Sequence, residues 1–382
     1  MYRNPFTDAE IARRLKALRA ELGRLDLDAG VLAAPESVFY LTGLDHWGYF
    51  APHLLIVPVA GTPVLVTRAM EQVSVANMVR AAEFRGHSDS ETAADMAARV
   101  LKDMNLSARR IGIECWTAGM SHGLASSLKG QVDAGWSDIS GLVDRMRRVK
   151  SPEEQALMRA AARVTGAATG AAIEAIGAGV AEREVAAACL AAMTRAGGDP
   201  PAFGPFIRPA HRLGEEHTTW GDGVYEAGRP VFLEIAGCVG RYHAPNGRLV
   251  HVGPAPDRDL AIAEVAGDAF TAVLGALKSG NRARDVYAAW QGVVDAAGLA
   301  HYRRHHCGYL VGLACPPSWT GGNTVTGLRH DSDLEIETGM SFHILSWLMG
   351  SGRGDFFLSN CVLLGADGPQ VLTTTPAGPT FK

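Results

Sequence analysis

Residues 147–154, with the sequence RRVKSPEE, mark the clearest structural boundary in the chain. Ser151 can cap a helix, Pro152 suits the first helical position because proline has no N–H to leave unpaired, and Glu154 completes a capping box. An alanine-rich stretch over about residues 152–175 follows at once. The pattern predicts that a long helix opens a new domain at this point.

The two halves on either side, residues 1–148 and 149–382, differ in how helices and strands alternate. In the first half, apolar runs at 31–34 and 110–114 alternate with helical patterns such as that of 7–22, which predicts a smaller α/β domain. In the second half, extended runs are segregated from the helices, which predicts an α+β domain. We therefore expect a two-domain chain of the α+β class.

Composition narrows the possible partners. The 382 residues carry 36 Lys and Arg against 40 Asp and Glu, so a net charge of -4 gives no reason to expect nucleic acid or an anionic membrane. No apolar run approaches the roughly 18 residues of a membrane span, and the first residues do not resemble a signal peptide. None of the six cysteines forms a C-x-x-C pair. We expect reduced thiols, a cytoplasmic location and a small-molecule substrate.

Four segments combine polar side chains with extended or turn-rich sequence, and they are the candidate site. They cover residues 212–220, 232–248, 305–313 and 339–345. Glu234 is the most informative residue, because Val231, Leu233 and Ile235 share one strand face and Phe232 and Ala236 share the other. A carboxylate between two apolar faces needs partners, or its pKa rises. Two interpretations stay open: a buried structural carboxylate held by Arg or backbone donors, and an active-site nucleophile or proton carrier.

Histidines flank this strand in the sequence. His217 and His243 each suit a general base beside a carboxylate, although each histidine also fits an ordinary surface or core role. The pair His305 and His306 is equally compatible with a solvated face. No H-E-x-x-H, C-x-x-C or D-x-D pattern appears, so the residues alone do not indicate a metal site.

At these motifs the chain resembles the pita-bread family of methionine aminopeptidases, prolidases and creatinases. The resemblance covers almost the whole chain, including residues 39–43 (FYLTG) of the N-terminal half and the junction at 149–154. It implies a pita-bread catalytic domain over 149–382, preceded over 1–148 by a creatinase/prolidase-like domain.

The family's metallopeptidases bind two metal ions through Asp, Asp, His, Glu and Glu. In this chain the matching positions are Glu234, Pro245, Tyr309, Leu345 and Ser359. Four of the five side chains are poor ligands for a divalent ion, which needs several charged or imidazole donors. The resemblance therefore implies that this chain has neither a dinuclear metal site nor another cofactor.

The chain is most similar to a metal-free branch that contains creatinase and ectoine hydrolase. The matching segments are LEIAG at 233–237, RYHAP at 241–245, the stretch 308–319 and GMSFH at 339–343. The resemblance implies a metal-independent hydrolase that acts on a C–N bond of a small cyclic amidine or amide-like compound, and it implies a homodimer. The acids that this branch carries near the end are replaced by residues 356–359, FFLS, which favours a neutral or more hydrophobic relative of ectoine as substrate, or a loss of activity.

The resemblance also suggests roles for individual residues. Glu234 would attack the substrate or activate a water, His217 would carry the proton to the leaving nitrogen, and His243 or His343 would orient it. Substrate-binding roles are implied for a further set of residues: Trp47, Tyr49, Arg241, Tyr309, Trp319 and His343. Two alternatives stay open, namely a lyase that acts on a small zwitterion on the same scaffold and a non-catalytic protein that binds a small molecule.

Overall fold

The computed structural model describes residues 2–322 and 324–382, which form two compact units. One unit extends to Arg147 and also includes Gly322 and Thr324, and the other contains the remaining residues from Arg148 onward. No helix in these ranges has both the length and the apolar character needed to cross a membrane.

The N-terminal unit is an α/β domain built on one mixed sheet. Its elements are α1 (Asp8–Arg24), β1 (Ala29–Leu32), α2 (Pro35–Thr42), β2 (Leu54–Pro58), β3 (Val64–Arg68), α3 (Gln72–Met78), β4 (Glu83–His87), α4 (Ala93–Asp103), β5 (Arg110–Ile113), α5 (His122–Gln131), β6 (Gly135–Asp138) and α6 (Leu142–Met146). The strand order is β4-β3-β2-β1-β5-β6, and the apolar faces of β1, β2, β3 and β5 pack with α4 and α5 into one core.

The C-terminal unit is built on a larger, mostly antiparallel sheet. Its elements are α7 (Pro152–Ala175), α8 (Glu182–Arg195), β7 (Phe206–Pro209), β8 (Pro230–Val239), β9 (Tyr242–His251), α9 (Asp257–Ala276), α10 (Ala283–Val294), β10 (Gly308–Leu310), β11 (Ser341–Leu348), β12 (Phe356–Gly365), β13 (Gly368–Val371) and β14 (Thr380–Phe381). The main strand order is β10-β11-β12-β9-β8-β7, while β13 pairs with β12 and β14 with β9.

The predicted capping box at the start of α7 is present. Ser151 Oγ accepts a hydrogen bond from the Glu154 amide, and the Glu154 carboxylate accepts one from the Ser151 amide at 3.0 Å. The other Glu154 oxygen accepts from the Tyr242 hydroxyl at 2.7 Å, which connects the helix to β9. A side-chain atom at Gly237 would lie 2.7 Å from the Thr165 amide, so glycine lets the backbones of α7 and β8 approach closely.

The two faces of β8 follow the alternation that the sequence predicts. Val231, Leu233 and Ile235 pack into the core that holds α7 and α8. Phe232 and Ala236 pack into the opposite core, which also contains α9 and α10. Glu234 therefore lies on the α9 and α10 side of the sheet, because side chains alternate along a strand.

Left-handed backbone marks the ends of α2 and of the β8–β9 hairpin strands. α2 ends at Thr42, and its C-cap Gly43 has the left-handed conformation. β9 begins at Tyr242, because a tight turn at Gly240 and Arg241 pairs β8 with β9 over their whole length.

Candidate active site

One row of residues crosses the C-terminal sheet and gathers segments that are distant in the sequence. In the strand register, Leu345 pairs with Ser359, Ser359 with Gly247, Gly247 with Glu234, and Glu234 with Phe206. Facing residues in adjacent strands lie about 5 Å apart. The sheet therefore brings two of the four candidate segments, 232–248 and 339–345, into one line with Phe206 and Ser359.

A cavity of about 500 Å³ opens beside this row. Its wall is largely aromatic, with contributions from Phe203, Phe206, Tyr309, Trp319 and Trp347. Its polar lining includes residues of both charges: Arg208, Glu216, His217, Glu234, Arg304, His305 and His306. A cavity of this size, apolar with a few convergent polar groups, suits a small organic molecule.

Glu234 lies in this wall with its side chain 12% exposed. Within the described residues its carboxylate accepts no hydrogen bond, and the nearest basic side-chain nitrogen is His343 Nδ1 at 3.8 Å, which is too long for one. Burial raises the pKa of Glu234 from 4.5 to about 7, although the positive charge of Arg208 opposes the rise. A carboxyl with this pKa can both take up and release a proton near neutral pH.

A chain of hydrogen bonds runs behind Glu234. Trp319 Nε1 donates to the Tyr309 hydroxyl at 2.9 Å, this hydroxyl lies 2.8 Å from His343 Nδ1, and His343 Nε2 lies 2.7 Å from Ser359 Oγ. Burial lowers the pKa of His343 to about 3 and raises that of Tyr309 well above its usual range, so both side chains are neutral at physiological pH. These hydrogen bonds fix the position of the Tyr309 hydroxyl at the cavity wall.

His217 also lines the cavity, and its ring packs against Phe203 and Phe206 at centroid distances of 6.3 and 6.0 Å. Its φ of 60° places it in the left-handed region, which is unusual for a residue other than glycine. Such strain persists where the surroundings hold the residue firmly, and it is frequent at functional sites.

The structure does not bring every predicted site residue to this cavity. His243 lies on the same sheet face as Glu234 but four residues from Gly247 toward the turn, or about 13 Å along the strand. Its Nε2 accepts a hydrogen bond from the Ala202 amide at 2.9 Å, and burial lowers its pKa to about 4. His243 therefore supports the segment that precedes Phe203 and does not line the cavity.

Four other residues predicted to contact the ligand are not among those that line this cavity. Arg241 occupies the β8–β9 turn with a φ of 66°, and its side chain is buried outside the cavity lining. Trp47 and Tyr49 belong to the N-terminal unit, where their rings stack with centroids 6.1 Å apart. His343 is fully buried behind Tyr309, so it contacts the cavity through that hydroxyl.

The residues present do not fit a divalent metal. In the row across the sheet, Glu234 is the only carboxylate, and His343, the nearest imidazole, has both ring nitrogens within hydrogen-bond distance of hydroxyl groups. Within residues 2–322 and 324–382, no three His, Cys, Asp or Glu side chains converge as a metal site would require.

Aromatic packing takes the place of the missing acids. A side-chain atom at Gly247 would collide with the ring of Phe357. Phe357 in turn stacks on Phe232 at a centroid distance of 4.8 Å and packs against Trp347 at 4.9 Å. The region where the resemblance led us to expect acids is an apolar floor.

Some lining residues were not anticipated from the sequence, and Arg208, Arg304 and Phe203 are the main ones. Arg208 lies on β7, a four-residue strand that ends in Pro209 and carries no clear strand pattern. Arg304 stacks over Trp347 at 4.7 Å and pairs with Glu216 at 3.1 Å, a contact between segments 88 residues apart. The sequence signal for this strand is a single arginine within the otherwise apolar residues 206–209.

Comparison with known proteins identifies the family to which the chain belongs. Residues 156–365 match the model of metallopeptidase family M24, and residues 14–149 match that of the creatinase/prolidase N-terminal domain. The chain is 26% identical to ectoine hydrolase of Halomonas elongata over 391 residues, which cover 97% of each protein. It is also 26% identical, over 62% of this chain and 66% of the relative, to an Xaa-Pro dipeptidase of Pyrococcus furiosus.

Solved structures agree with this placement. An Xaa-Pro dipeptidase from Bacillus anthracis superposes with a TM-score of 0.86 at 21% identity, covering 97% of this chain and all of that one. A dipeptidase from Pyrococcus horikoshii superposes with a TM-score of 0.84 at 21% identity, covering 97% and 100%. These matches confirm the predicted two-domain pita-bread architecture and the predicted enzyme class, a hydrolase. The chain belongs to metallopeptidase family M24, with a creatinase/prolidase-type N-terminal domain.

Proposed function

We propose that this protein hydrolyses a C–N bond in a small cyclic amidine or amide-like compound without a metal ion. The observation that carries the proposal is the Glu234 carboxylate, which lies at the cavity wall without a protein hydrogen bond and whose pKa is about 7. The side chains beside it in the sheet supply no further metal ligands.

In the proposed reaction Glu234 accepts a proton from a water molecule, whose oxygen bonds to the substrate carbon. The C–N bond then breaks, and the departing nitrogen takes a proton from His217. Glu234 then gives His217 the proton that it took from water, so both side chains return to their starting states. Glu234 could instead attack the carbon directly and form an acyl intermediate that water then cleaves. Both routes need an ionised Glu234, so turnover should increase as the pH rises through about 7.

Tyr309 is the proposed hydrogen-bond donor to the charge that develops on the substrate. If Trp319 Nε1 and His343 Nδ1 both donate to the Tyr309 oxygen, and Ser359 donates to His343 Nε2, every contact is satisfied. The proton of Tyr309 is then available to the cavity. A donor held in place before the reaction stabilises the transition state without reorganisation.

The substrate class follows from the relatives and the cavity together. The name of the relative in Halomonas elongata specifies ectoine, and the largely aromatic wall favours a bulkier, more apolar compound that carries a similar bond. We further propose that the protein acts in the cytoplasm as a homodimer, and that Trp47 and Tyr49, which do not line the cavity of their own chain, contact the ligand bound by the second copy.

The test is a hydrolysis screen with ectoine, other cyclic amidines and N-acyl amino acids, run in ¹⁸O-labelled water. The proposal predicts that one labelled oxygen enters the product and that both E234Q and H217A lose most of the turnover. A product without solvent oxygen would indicate elimination by a lyase. Full turnover in both variants would refute the assignment of these residues.

A further inference from the structure

Arg208 is a buried cation without a hydrogen-bond partner among the described residues, whereas Arg304, the other arginine of the cavity lining, pairs with Glu216. Its side chain is 1% exposed, it lines the cavity, and its Nε and Nη2 atoms have no partner among the described residues. Its guanidinium lies over the Phe232 ring, with Cζ 4.0 Å from the centroid. Unpaired donors of a buried charged group are costly, so such an arrangement calls for a ligand.

Other arginines of this chain show how unusual this is. Arg248 is equally buried, but its Nε, Nη1 and Nη2 atoms all donate to protein oxygens. Arg304, which lines the same cavity, has Glu216 as its carboxylate. Of these three arginines, only Arg208 makes no hydrogen bond or ion pair with the described residues.

The two unused nitrogens lie on the same edge of the guanidinium. At three other arginines of this chain, Nε and Nη2 together donate to a single carboxylate. The pairs are Arg13 with Glu10, Arg68 with Asp89 and Arg329 with Asp331. The planar fork of arginine matches the two oxygens of a carboxylate. The chemistry of Arg208 therefore favours a carboxylate over a neutral group.

The position of Arg208 relative to Glu234 sets the size of the ligand. Arg208 faces Phe232, and Glu234 faces Phe206, so the two charged residues lie diagonally on adjacent strands and on the same face. Two residues along a strand span about 7 Å. A compact molecule can thus reach both residues, with its carboxylate separated by only a few bonds from the carbon that Glu234 would serve.

We propose that Arg208 is a specificity residue that binds the carboxylate of the substrate after a small turn of its guanidinium toward the cavity. This inference rests on the proposed function and narrows its substrate to an acid: a small amide or amidine that carries a carboxylate near the scissile C–N bond and an apolar group. The apolar group would face the aromatic wall formed by Phe203 and Trp319.

The test measures binding, so it does not depend on turnover. Phenylacetate and N-acetyl-L-phenylalanine are each titrated beside their primary amides into the full-length protein, and binding is followed by calorimetry. We expect the acids to bind about tenfold to hundredfold more tightly than the amides, as hydrogen bonds to a charged group provide. R208Q should abolish this preference but keep amide affinity within about threefold. R208K, which keeps the charge without the fork, should retain a smaller preference.

R303Q is the matched control, because Arg303 pairs with Asp295 on the surface and does not line the cavity. It should behave as the wild type. Equal affinity for acids and amides, no binding of either kind of probe at millimolar concentration, or an unchanged preference in both Arg208 variants would overturn the assignment. If the preference is present but no screened acid is hydrolysed, the proposed reaction fails while the carboxylate site stands.

Discussion

Replacing Glu234 with Gln should stabilise the protein, and the gain should depend on pH. The folded state raises the pKa of Glu234 from 4.5 to about 7, because burial disfavours the charged form. Below pH 4.5 the carboxyl is protonated in both the folded and the unfolded state, so its ionisation does not change the free energy of unfolding. Between pH 4.5 and about 7 the unfolded state releases the proton first, so stability falls as the pH rises. Above about 7 the full penalty is present.

The size of the penalty follows from the shift. A difference of about 2.5 pKa units corresponds to at most about 3.4 kcal/mol, because each unit is worth 1.36 kcal/mol. Gln is nearly isosteric with the protonated acid and removes this ionisation. We expect E234Q to match the wild type near pH 4.5 and to be more stable by about 1–3 kcal/mol at pH 8.

Urea denaturation of both proteins at intervals from pH 4.5 to 8 measures the difference directly. Taking the difference between the two proteins cancels the titration of groups that they share. E182Q, at a buried carboxylate that accepts a hydrogen bond from the Gly221 amide, serves as a control, and it should be destabilising. A gain for E234Q that does not vary with pH, or a loss at pH 8, would refute the placement of an unpaired carboxylate in an apolar wall.

Three further predictions concern single side chains of the same domain. H217A should lower turnover by roughly 10²–10⁴-fold while ligand affinity changes little, as measured by kinetics and calorimetry, because proton transfer and not binding is removed. Y309F should lower turnover roughly 10²-fold. Adding W319F to Y309F should lower turnover little further, because Trp319 acts through the Tyr309 hydroxyl; independent losses from the two substitutions would argue against this hydrogen bond. F357A should destabilise the protein by about 3–5 kcal/mol in urea denaturation, since its ring is fully buried on Phe232; a loss below 1 kcal/mol would contradict this packing.

Local rules in the sequence predicted the parts of the fold that depend on neighbouring residues. The capping box of Ser151 and Glu154 follows from residues three positions apart. The face on which Glu234 lies follows from strand alternation. The absence of suitable ligands at the family's metal positions could also be derived by comparing motifs, because it depends only on residue types.

The remaining features depend on pairing between distant segments. Arg208 faces the cavity because β7 pairs with β8, and nothing within residues 206–209 indicates that register. His243 was predicted to be catalytic because it is close to Glu234 in the sequence, but it lies toward the hairpin turn and supports Ala202. The hydrogen bonds that run from Trp319 to Ser359 join three strands and a loop. Such contacts are determined by the whole sheet and not by local pattern.

Under the proposed function Glu234 drives the cleavage of a C–N bond without a metal ion, and assays of metal-depleted protein test this. Wild type and E234Q are dialysed against a strong chelator, their metal content is verified, and both are assayed with ectoine and the amidine and N-acyl amino acid panel at pH 8. We predict that the wild type converts at least one of these compounds at a rate that the chelator leaves unchanged, and that E234Q converts none of them. Turnover that disappears with the metal, turnover that E234Q retains, or no product from any compound would contradict the claim.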